Sequence, residues 1–470
     1  MCFLCRFVFF SYLCTRCSIF KDIWEIISCN QMRMYKIFVS LLALLAFMSV
    51  GMVLTACSGH DDDPIAEVIV QPQDDNNTGT EEDNGGDADD GDHEDEPGTD
   101  EEPGNEEPAK AYFTGEVNYP KYPLLKNLNF VYPSKGPKGE PVMLSGTITM
   151  SHDMTPEKKA QGFILYNHYT VCRADECPSK GKLDMQNIIY LTAPRRNFIT
   201  VSADYYGFGE TADQMQAYCI ASANARASID ALLAAKQLLA EKGYTWGDVL
   251  LNVGYSQGGQ TAIGVLKMAT EEYPDLHFTR TLAGGGPYDL EETYRQYLAD
   301  GSAKLPSAVV SILMAYNEYF QLGIPDDSMF QGPTLDHLDD WWLSKQYSST
   351  EIDRLMGSGD ITQFIASPLC DLDSEVSRRM MEALAAESLC RGWTPRRDED
   401  IFLLHHNADD ISPSVNTQHL YEFLKAQGVE HVELQMADFL SLGISEHISG
   451  AVAFLTIVGE WIRYKYEIQN

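Results

Sequence analysis

One short stretch combines a serine with glycines in a pattern suited to nucleophilic chemistry. Residues 254–258 read GYSQG, so Ser256 stands in the pattern G-x-S-x-G. A serine hydroxyl attacks a carbonyl carbon when a neighbouring base takes its proton, and the glycines permit the sharp turn that exposes the hydroxyl. The attack places a negative charge on the carbonyl oxygen. Free N–H groups at the start of a following helix would stabilise this oxyanion. We therefore predict that Ser256 is a nucleophile.

The segments on both sides of Ser256 fit the elements that such a turn requires. Residues 249–253 form an apolar run with β-branched side chains, which is typical of a buried strand. From Thr261 onward, apolar residues recur at helical spacing. A strand before the serine and a helix after it would hold the hydroxyl above the edge of a sheet.

Two aspartates and a histidine later in the chain could complete the site. Asp409 and Asp410 follow an apolar run at residues 401–406 and precede Pro413 after a short spacer. The order serine, acid, histidine points to this pair, and the spacing to Pro413 favours Asp409 as the acid, with Asp410 as the alternative. The other interpretation is that either aspartate merely caps the helix after Ser412. His447 opens the last helical pattern after a glycine-containing loop, so we predict that it is the general base.

Two backbone N–H groups are expected to bind the oxyanion that forms during the attack. Gln257 follows the nucleophile directly and would supply one of them. The loop at the end of the predicted strand 163–169 would supply the other, from Tyr169 or Thr170. No metal site is expected, because no cysteine pair has a histidine at ligand spacing, and no organic cofactor is implied.

Alternating strand and helix patterns surround these residues and predict an α/β protein with a mostly parallel, doubly wound sheet. A helix that ends in a glycine cap is predicted over residues 221–243. The predicted strands cover residues 142–150, 163–169, 198–204, 249–253, 278–286, 401–406 and 432–439.

Residues 289–400 break this alternation, because they contain helical patterns and no convincing buried strand. Aromatic side chains and methionines are dense there, and Trp341 and Trp342 are among them. Such side chains usually form ordinary packing, but this segment interrupts the sheet at the edge where active-site loops gather. We predict a helical cap over the site, with a pocket that favours apolar acyl groups.

The beginning of the chain predicts export and membrane anchoring. Lys36 precedes an apolar stretch at residues 37–53, and the sequence LTAC then ends at Cys57. This pattern resembles a bacterial lipoprotein signal peptide, so residues 1–57 are predicted to be a signal whose Cys57 carries a lipid. A plain transmembrane anchor is the alternative. Residues 1–31 fit neither pattern and indicate a start assigned too far upstream. We expect a lipid-anchored protein of the bacterial cell envelope, at the outer membrane or cell surface.

Composition divides the rest of the chain into two parts. Residues 58–111 are rich in Asp, Glu, Gly and Pro and are predicted to be a disordered acidic linker. Residues 112–470 have a globular composition and are predicted to be one catalytic domain that includes the cap. The formal net charge of the chain is −35, and the domain is acidic even without the linker, which argues against a nucleic-acid partner.

The cysteines of the predicted domain could form disulfides in an oxidising envelope. Proximity in sequence suggests the pairs Cys172/Cys177 and Cys370/Cys390, with Cys219 left over. Spacing alone does not determine the pairing.

Several segments together resemble the secretory-lipase branch of the α/β-hydrolases. They span residues 132–461 and include SADYYGFGET, GYSQGG, LAGGGPYDL, HHNADDISP and SEHISG, with the helical segment in between. The resemblance implies an α/β-hydrolase fold with a helical lid and the hydrolysis of carboxylic esters. It also implies that the loop beginning at Asp204 borders the site. The chain departs from the family at His168-Tyr169, where many such enzymes have His-Gly.

The function predicted from these observations is that of a serine ester hydrolase, a lipase or esterase that works through an acyl-enzyme. A serine peptidase of the prolyl-oligopeptidase type shares the motif and the residue order, but the usual N-terminal propeller of that class is absent from the sequence. An acyltransferase could use the same triad. A surface binding module that keeps the fold without the chemistry is the alternative outside the enzymes.

Overall fold

The computed structural model describes residues 68–69, 109–117, 124–180, 196–443 and 445–466. The predicted signal peptide, its lipid site at Cys57 and most of the predicted acidic linker lie outside these ranges. Within the described ranges, no helix is both long enough and apolar enough to cross a membrane.

A ten-stranded sheet forms the centre of the described structure. In chain order, its strands are β1 (Val68–Ile69), β2 (Tyr112–Val117), β3 (Leu125–Lys135), β4 (Pro141–Ser151), β5 (Ala160–Asn167), β6 (Phe198–Ala203), β7 (Trp246–Tyr255), β8 (Arg280–Gly284), β9 (Asp400–His406) and β10 (His431–Ala437). Across the sheet, their order is β1-β2-β3-β4-β6-β5-β7-β8-β9-β10. In this order across the sheet, neighbouring strands pair antiparallel from β1 as far as β6. From β6 as far as β10, neighbouring strands pair parallel.

The parallel strands confirm the predicted fold class, and their composition explains the arrangement. All six residues of β6 are buried, as are the last six of β7. Strands covered by helices on both faces carry continuous apolar runs, which is why the sequence pattern revealed them. The pattern did not predict β3, which belongs to the antiparallel part and pairs with β4.

The longer helices are α1 (Ala221–Glu241), α2 (Gln257–Glu272), α3 (Leu290–Asp300), α4 (Pro306–Tyr319), α5 (Ser349–Met356), α6 (Glu375–Ala386), α7 (Val415–Ala426) and α8 (Glu446–Lys465). Short helical segments lie at Ala174–Glu176, Pro178–Lys180, Gly209–Thr211, Asp326–Met329, Gly332–Asp336, Asp339–Leu343, Ile361–Phe364 and Ser367–Cys370. The helix after the serine motif therefore begins at Gln257, one turn before the predicted start at Thr261.

Helices cover both faces of the sheet. Successive side chains of a strand point to opposite faces, and alternate residues of β5 accordingly belong to two apolar clusters. Phe163 lies in the cluster that contains α1 and α2, whereas Ile164 lies in the cluster that contains α8. The carboxyl ends of β7 and β9 and the start of α8 therefore converge at one edge of the sheet.

The segment predicted to be a cap, residues 289–400, is called the helical insertion below. It contains α3 to α6 and the short helices among them, with two isolated bridges, Ser302–Asp360 and Phe330–Ile365, as its only described pairing. The insertion packs on the segment after β6, where the Tyr316 hydroxyl donates to the Cys219 carbonyl at 3.0 Å. Its position over the active site stays a prediction.

The cysteine pairs suggested by the sequence are wrong, because all five cysteines of the domain are free thiols. Cys370 directs its sulfur toward the Ile365 carbonyl, at 3.9 Å. Cys390 directs its sulfur toward the Asn416 carbonyl on α7, at 4.0 Å. Proximity in sequence failed here because the two side chains face different elements.

Candidate active site

Ser256 lies at the sharp turn between β7 and α2. Its backbone has φ 59° and ψ −126°, a strained conformation for a residue with a side chain. A Cβ on Gly254 would lie 1.9 Å from the Gly258 carbonyl oxygen, and one on Gly258 would lie 2.1 Å from the Asn167 carbonyl oxygen. Only glycine fits at either position, which explains the spacing of the motif.

The three residues selected from the sequence lie in one hydrogen-bonded row. His447 Nε2 is 2.9 Å from Ser256 Oγ. His447 Nδ1 is 2.7 Å from Asp409 Oδ2. Because an ionised carboxylate can only accept, Nδ1 carries the proton and leaves Nε2 free to accept from the serine hydroxyl. The row has the geometry of a nucleophile, a base and an orienting acid.

Asp409 is held as a carboxylate by donors on all sides. Its Oδ1 accepts from the backbone N–H groups of Ile411, at 3.0 Å, and Ser412, at 2.8 Å. Burial of the side chain opposes ionisation, but the charge of His447 and the contact with His405 outweigh burial and hold the pKa of the Asp409 carboxyl well below its usual range. The side chain is fully buried and still ionised, as an orienting acid must be.

Asp410 has a separate partner, the start of α8. Its Oδ1 accepts from the backbone N–H of His447 at 3.1 Å and from the hydroxyl of Ser445. The sequence left open whether one of the two aspartates would cap the helix after Ser412. Asp410 instead caps α8, the helix that carries His447.

The backbone of His447 is fixed from below by β7. The Tyr255 hydroxyl donates to the His447 carbonyl at 2.9 Å, and the two rings lie 5.1 Å apart. A Cβ on Gly450 would lie 2.5 Å from that hydroxyl oxygen, so the first turn of α8 admits the tyrosine only with glycine there. Tyr255, the residue before Ser256, therefore fixes the position of His447.

The residues predicted to bind the oxyanion lie beside the elbow. Gln257 is the first residue of α2, so its N–H belongs to the set that has no acceptor within the helix. The close approach of Gly258 to the carbonyl oxygens of Asn167 and His168 brings the β5 loop against the elbow. Thr170 Oγ1 lies 2.7 Å from the Tyr218 hydroxyl, which fixes the far end of that loop.

His168, which precedes the departure from the family pattern at Tyr169, is buried in the same loop. Its ring stacks on Tyr205, with ring centroids 4.0 Å apart, and its Nδ1 lies 2.7 Å from the Tyr169 carbonyl oxygen. Burial lowers the pKa of the His168 ring. The imidazole thus links the β5 loop to the loop that begins at Asp204.

Sequence reasoning missed one polar side chain of the site, His405. Its Nε2 lies 3.1 Å from Asp409 Oδ2, and the ring is fully buried. The sequence did show two consecutive histidines at the end of a predicted strand, just before the acid. Nothing in that pattern indicated that the first of them would contact the carboxylate.

The fold is shared with solved structures of esterases and lipases. The rice cell wall degrading esterase LipA from Xanthomonas oryzae is 18% identical, with a TM-score of 0.64 over 76% of this chain and 98% of that one. Candida antarctica lipase A is 14% identical, with a TM-score of 0.51 over 67% of this chain and 73% of that one. A Legionella pneumophila protein is 21% identical, with a TM-score of 0.62 over 74% and 90% of the two chains. These likenesses show the α/β-hydrolase fold.

Comparison with known sequences gives one family and no individual relative. No curated protein matches the chain. The family model described as secretory lipase matches residues 181–469, which is more than half of the chain. The match covers the serine motif, the helical insertion and both loops that hold the acid and the histidine. The chain therefore belongs to the secretory lipase family, whose members are ester hydrolases.

Proposed function

We propose that the protein cleaves carboxylic esters through an acyl-enzyme formed on Ser256, with His447 as the base and Asp409 as the orienting acid. The observation that carries the proposal is the unbroken row of contacts from Ser256 Oγ to Asp409 Oδ2 at 2.9 Å and 2.7 Å. The strained backbone at Ser256 and the glycines around it support the same assignment, because they aim the hydroxyl away from the sheet.

The reaction follows from these contacts. Ser256 Oγ attacks the acyl carbon while His447 Nε2 takes the hydroxyl proton. His447 then gives that proton to the departing alcohol, which leaves an ester of Ser256. Water, deprotonated by the same nitrogen, attacks this ester and releases the acid. Asp409 stays ionised throughout and stabilises the imidazolium without taking its proton.

The oxyanion of each tetrahedral intermediate would be bound by backbone N–H groups. Gln257 supplies one from the start of α2, and Tyr169 or Thr170 supplies the other from the β5 loop. The positive end of the α2 dipole would strengthen this binding, because the oxyanion forms at the helix N-terminus.

The interface between the helical insertion and the oxyanion loop supports apolar acyl groups as substrates. A small cavity of about 30 Å³ lies there, and its wall is mostly apolar. Tyr218 belongs to this wall and also bonds Thr170, so the cavity adjoins the predicted oxyanion loop. The remaining lining residues are Cys172, Met215, Gln216, Ser311, Met314, Trp342, Leu343 and Lys345. We propose that an acyl chain enters by widening this cavity beneath the insertion, which would make the insertion a cap.

A fluorophosphonate probe tests the nucleophile. The wild-type domain, residues 112–470, should be labelled, and Ser256→Ala should not be, while its thermal unfolding stays close to that of the wild type. Labelling that persists on the folded variant would exclude Ser256. A panel of acyl esters and peptide amides then separates the activities. Turnover of amides alone would favour a peptidase, and neither labelling nor turnover would favour a binding module.

A series of p-nitrophenyl esters tests the acyl site. Each buried CH₂ contributes up to about 0.8 kcal/mol, so kcat/KM should rise a few-fold per added carbon until the cavity is full. Trp342→Ala should move the optimum to longer chains, because Trp342 lines the cavity. Trp341→Ala is the matched control, because Trp341 is equally buried but stacks on His337. If acetate is the best substrate of all three proteins, the cavity does not bind the acyl chain.

A further inference from the structure

His405 is a fully buried histidine that, in addition to His447, contacts the Asp409 carboxylate. It lies at the end of β9, four residues before Asp409. Its ring is 0% exposed and so is the Asp409 side chain, which means that no water screens their contact. The carboxylate thus lies between two imidazoles, with His447 Nδ1 at 2.7 Å and His405 Nε2 at 3.1 Å from the same oxygen, Oδ2.

The surroundings of His405 determine which nitrogen carries a proton. Nε2 lies 2.9 Å from the Ser412 carbonyl oxygen as well as close to Asp409 Oδ2. Both of these oxygens can only accept, so Nε2 must be protonated. Nδ1 lies 2.6 Å from the Thr417 hydroxyl on α7, which fixes the rotation of the ring. The ring therefore presents an N–H to the acid loop (residues 407–413).

Hydrogen bonds connect His405, Ser412 and the Asp409 carboxylate to one another. Ser412 donates its backbone N–H to Asp409 Oδ1 at 2.8 Å, and its carbonyl accepts from His405. His405 thereby holds Ser412, whose N–H binds Oδ1 of Asp409. His405 also contacts Oδ2 of the same carboxylate directly. Removal of the ring would loosen the loop and take away the positive end of one N–H dipole next to the charge.

We propose that His405 is a positioning residue of the site, which holds the Asp409 carboxylate in register with His447 and lowers its basicity. The proposal rests on the proposed function, because it concerns the acid of the same row. Without the His405 N–H, the carboxylate attracts the protonated His447 ring more strongly. A higher pH is then needed to deprotonate the His447 ring. The acid limb of the pH profile of kcat/KM should therefore move to higher pH.

Other ionisable groups face this row and stay unchanged in the main variants. They lie on five elements: the acid loop, β7, α3, β9 and α8. These groups are Asp410, Tyr255, Tyr297 and the pair His406 with Glu446, whose closest atoms are 3.2 Å apart.

The test compares His405→Gln with His405→Phe in the catalytic domain. Gln can present an amide N–H where Nε2 stands, and Phe keeps the ring shape but has no donor. We expect His405→Phe to lower kcat about tenfold with little change in KM, and to move the acid limb upward by about half a unit or more. His405→Gln should restore most of kcat and the position of the limb. An unmoved limb in His405→Phe, or equal losses in both variants, would overturn the proposal.

Two further variants serve as controls. His419 lies on α7, as Thr417 does, but its Nδ1 is 3.5 Å from Asp289 Oδ2 and does not contact Asp409, so His419→Gln should leave the limb in place. Thr417→Val removes the group that fixes the ring of His405 and should move the limb in the same direction as His405→Phe, by less. A limb that moves in His419→Gln and not in Thr417→Val would contradict the assignment.

A measurement without turnover separates this proposal from the proposed function. The proton between His447 Nδ1 and Asp409 gives a strongly deshielded ¹H NMR signal when such a hydrogen bond is short. In His405→Phe this signal should move further downfield, and in His405→Gln it should stay near its wild-type position. If the signal behaves in this way in a protein that hydrolyses no ester, the positioning role stands and the proposed function fails. If the signal does not move while esters are hydrolysed, the reverse holds.

Discussion

At the scale of single residues, the adjacent aspartates Asp409 and Asp410 have different partners although their chemistry is identical. Asp409 contacts the imidazole of His447, whereas Asp410 binds the backbone N–H of that same residue. One side chain contacts the imidazole ring and the other the helix that carries it. The difference predicts different effects for the same substitution.

Asp409→Asn should lower kcat by about three to four orders of magnitude, because a neutral amide neither selects the tautomer nor stabilises the imidazolium. Asp410→Asn should cost no more than a few-fold, because an asparagine oxygen caps a helix about as well as a carboxylate. Asp410→Ala removes the cap and should lower the free energy of unfolding by about 1 kcal/mol. Steady-state kinetics and urea unfolding check all three variants. The opposite ranking of the two asparagine variants would make Asp410 the acid.

The pH dependence of stability should also report on Asp409. Its pKa is lower in the folded protein than in the unfolded chain, so the ionised carboxylate stabilises the fold. This contribution is fully present above the unfolded pKa of about 4 and is lost as the pH falls through the folded value. The free energies of unfolding of the wild type and Asp409→Asn should therefore converge as the pH falls below about 4. A constant difference from pH 7 to pH 3 would mean that the carboxylate is not stabilised in the fold.

Residue order and spacing selected Ser256, Asp409 and His447 because these depend on strand ends, which a sequence reveals. Their catalytic roles stay predictions, but their side chains lie in contact. His405 could not be selected in that way, because its contact with the carboxylate depends on how the acid loop bends back over β9. Tyr255 could not be selected either, since its partner is a backbone carbonyl 192 positions along the chain.

At the scale of elements, the strand β7, the turn at Ser256 and the helix α2 act as one unit. Gly258 lets α2 approach the end of β5, and further along the helix Gly264 packs on α1. Both glycines lie on α2, but the space around them differs.

Gly258→Ala should disrupt the elbow, because its Cβ would lie 2.1 Å from one backbone oxygen and 2.8 Å from another. The fluorophosphonate labelling rate should fall at least a hundredfold, or about 3 kcal/mol of barrier, as the β5 loop is pushed away from the serine. Gly264→Ala is the control on the same helix, because its Cβ would come only within 3.0 Å of the Ala221 carbonyl oxygen. The control should label at nearly the wild-type rate. Equal labelling of both variants would mean that the close approach of β5 is unnecessary.

The C-terminus of α2 is capped by Arg396, a residue near the end of the helical insertion. Its guanidinium donates to the carbonyls of Ala269 and Tyr273 and lies 3.6 Å from the buried carboxylate of Glu399. Burial raises the pKa of Glu399 to about 7. The cation therefore satisfies the last carbonyls of the helix and lies within ion-pair distance of a carboxyl group that has little access to water.

Arg396→Met should lower the free energy of unfolding by about 2–4 kcal/mol, because it leaves those carbonyls and the carboxyl group unpaired. Arg397→Met is the matched control, because the neighbouring side chain is 75% exposed and should change stability by no more than about 0.5 kcal/mol. Thermal or urea unfolding distinguishes the two. Similar values for both variants would show that Arg396 contributes little to the closure of α2.

Among the elements, the sequence predicted the buried parallel strands and the helical insertion well, and their bounds less well. The start of α2 was placed too late because the glycines after Ser256 interrupt the apolar periodicity on which the prediction depended. β2 and β3 were missed because neither has the continuous apolar run or the regular alternation on which the prediction depended, and the burial along β3 is itself irregular. The cysteine pairs failed because no pattern states which way a thiol points.

At the scale of the whole molecule, the catalytic domain and the predicted lipid site are separated by an acidic segment. From Cys57 to the start of β2 at Tyr112 there are about 55 residues, with about twenty carboxylates and one lysine among them. Because β1 pairs with β2, the part between Cys57 and the sheet is about 11 residues long; if it is as flexible as its composition predicts, its mean reach is about 18 Å, and charge repulsion extends it further. The anchor would then hold the domain near a membrane without touching its active site.

This separation leads to the last prediction, which concerns Cys57→Ala in the full-length protein. Without the thiol no lipid can be attached, so the protein should appear in the soluble fraction or as an uncleaved precursor. Its kcat/KM for a water-soluble ester should equal that of the wild type, because the triad candidates lie in a domain that packs its own core. Its rate on esters presented in a bilayer should fall, because the wild type gains from confinement to the surface.

Fractionation and mass spectrometry of the mature N-terminus check the anchor, and the two esters check its independence from catalysis. Cys370→Ala is a suitable control, because it removes another free thiol while leaving the predicted lipid site intact. A processed Cys57→Ala protein that stays in the membrane would refute lipidation at this residue. An equal loss on both esters would instead mean that the anchor region contributes to the folded domain, and that the acidic segment is more than a tether.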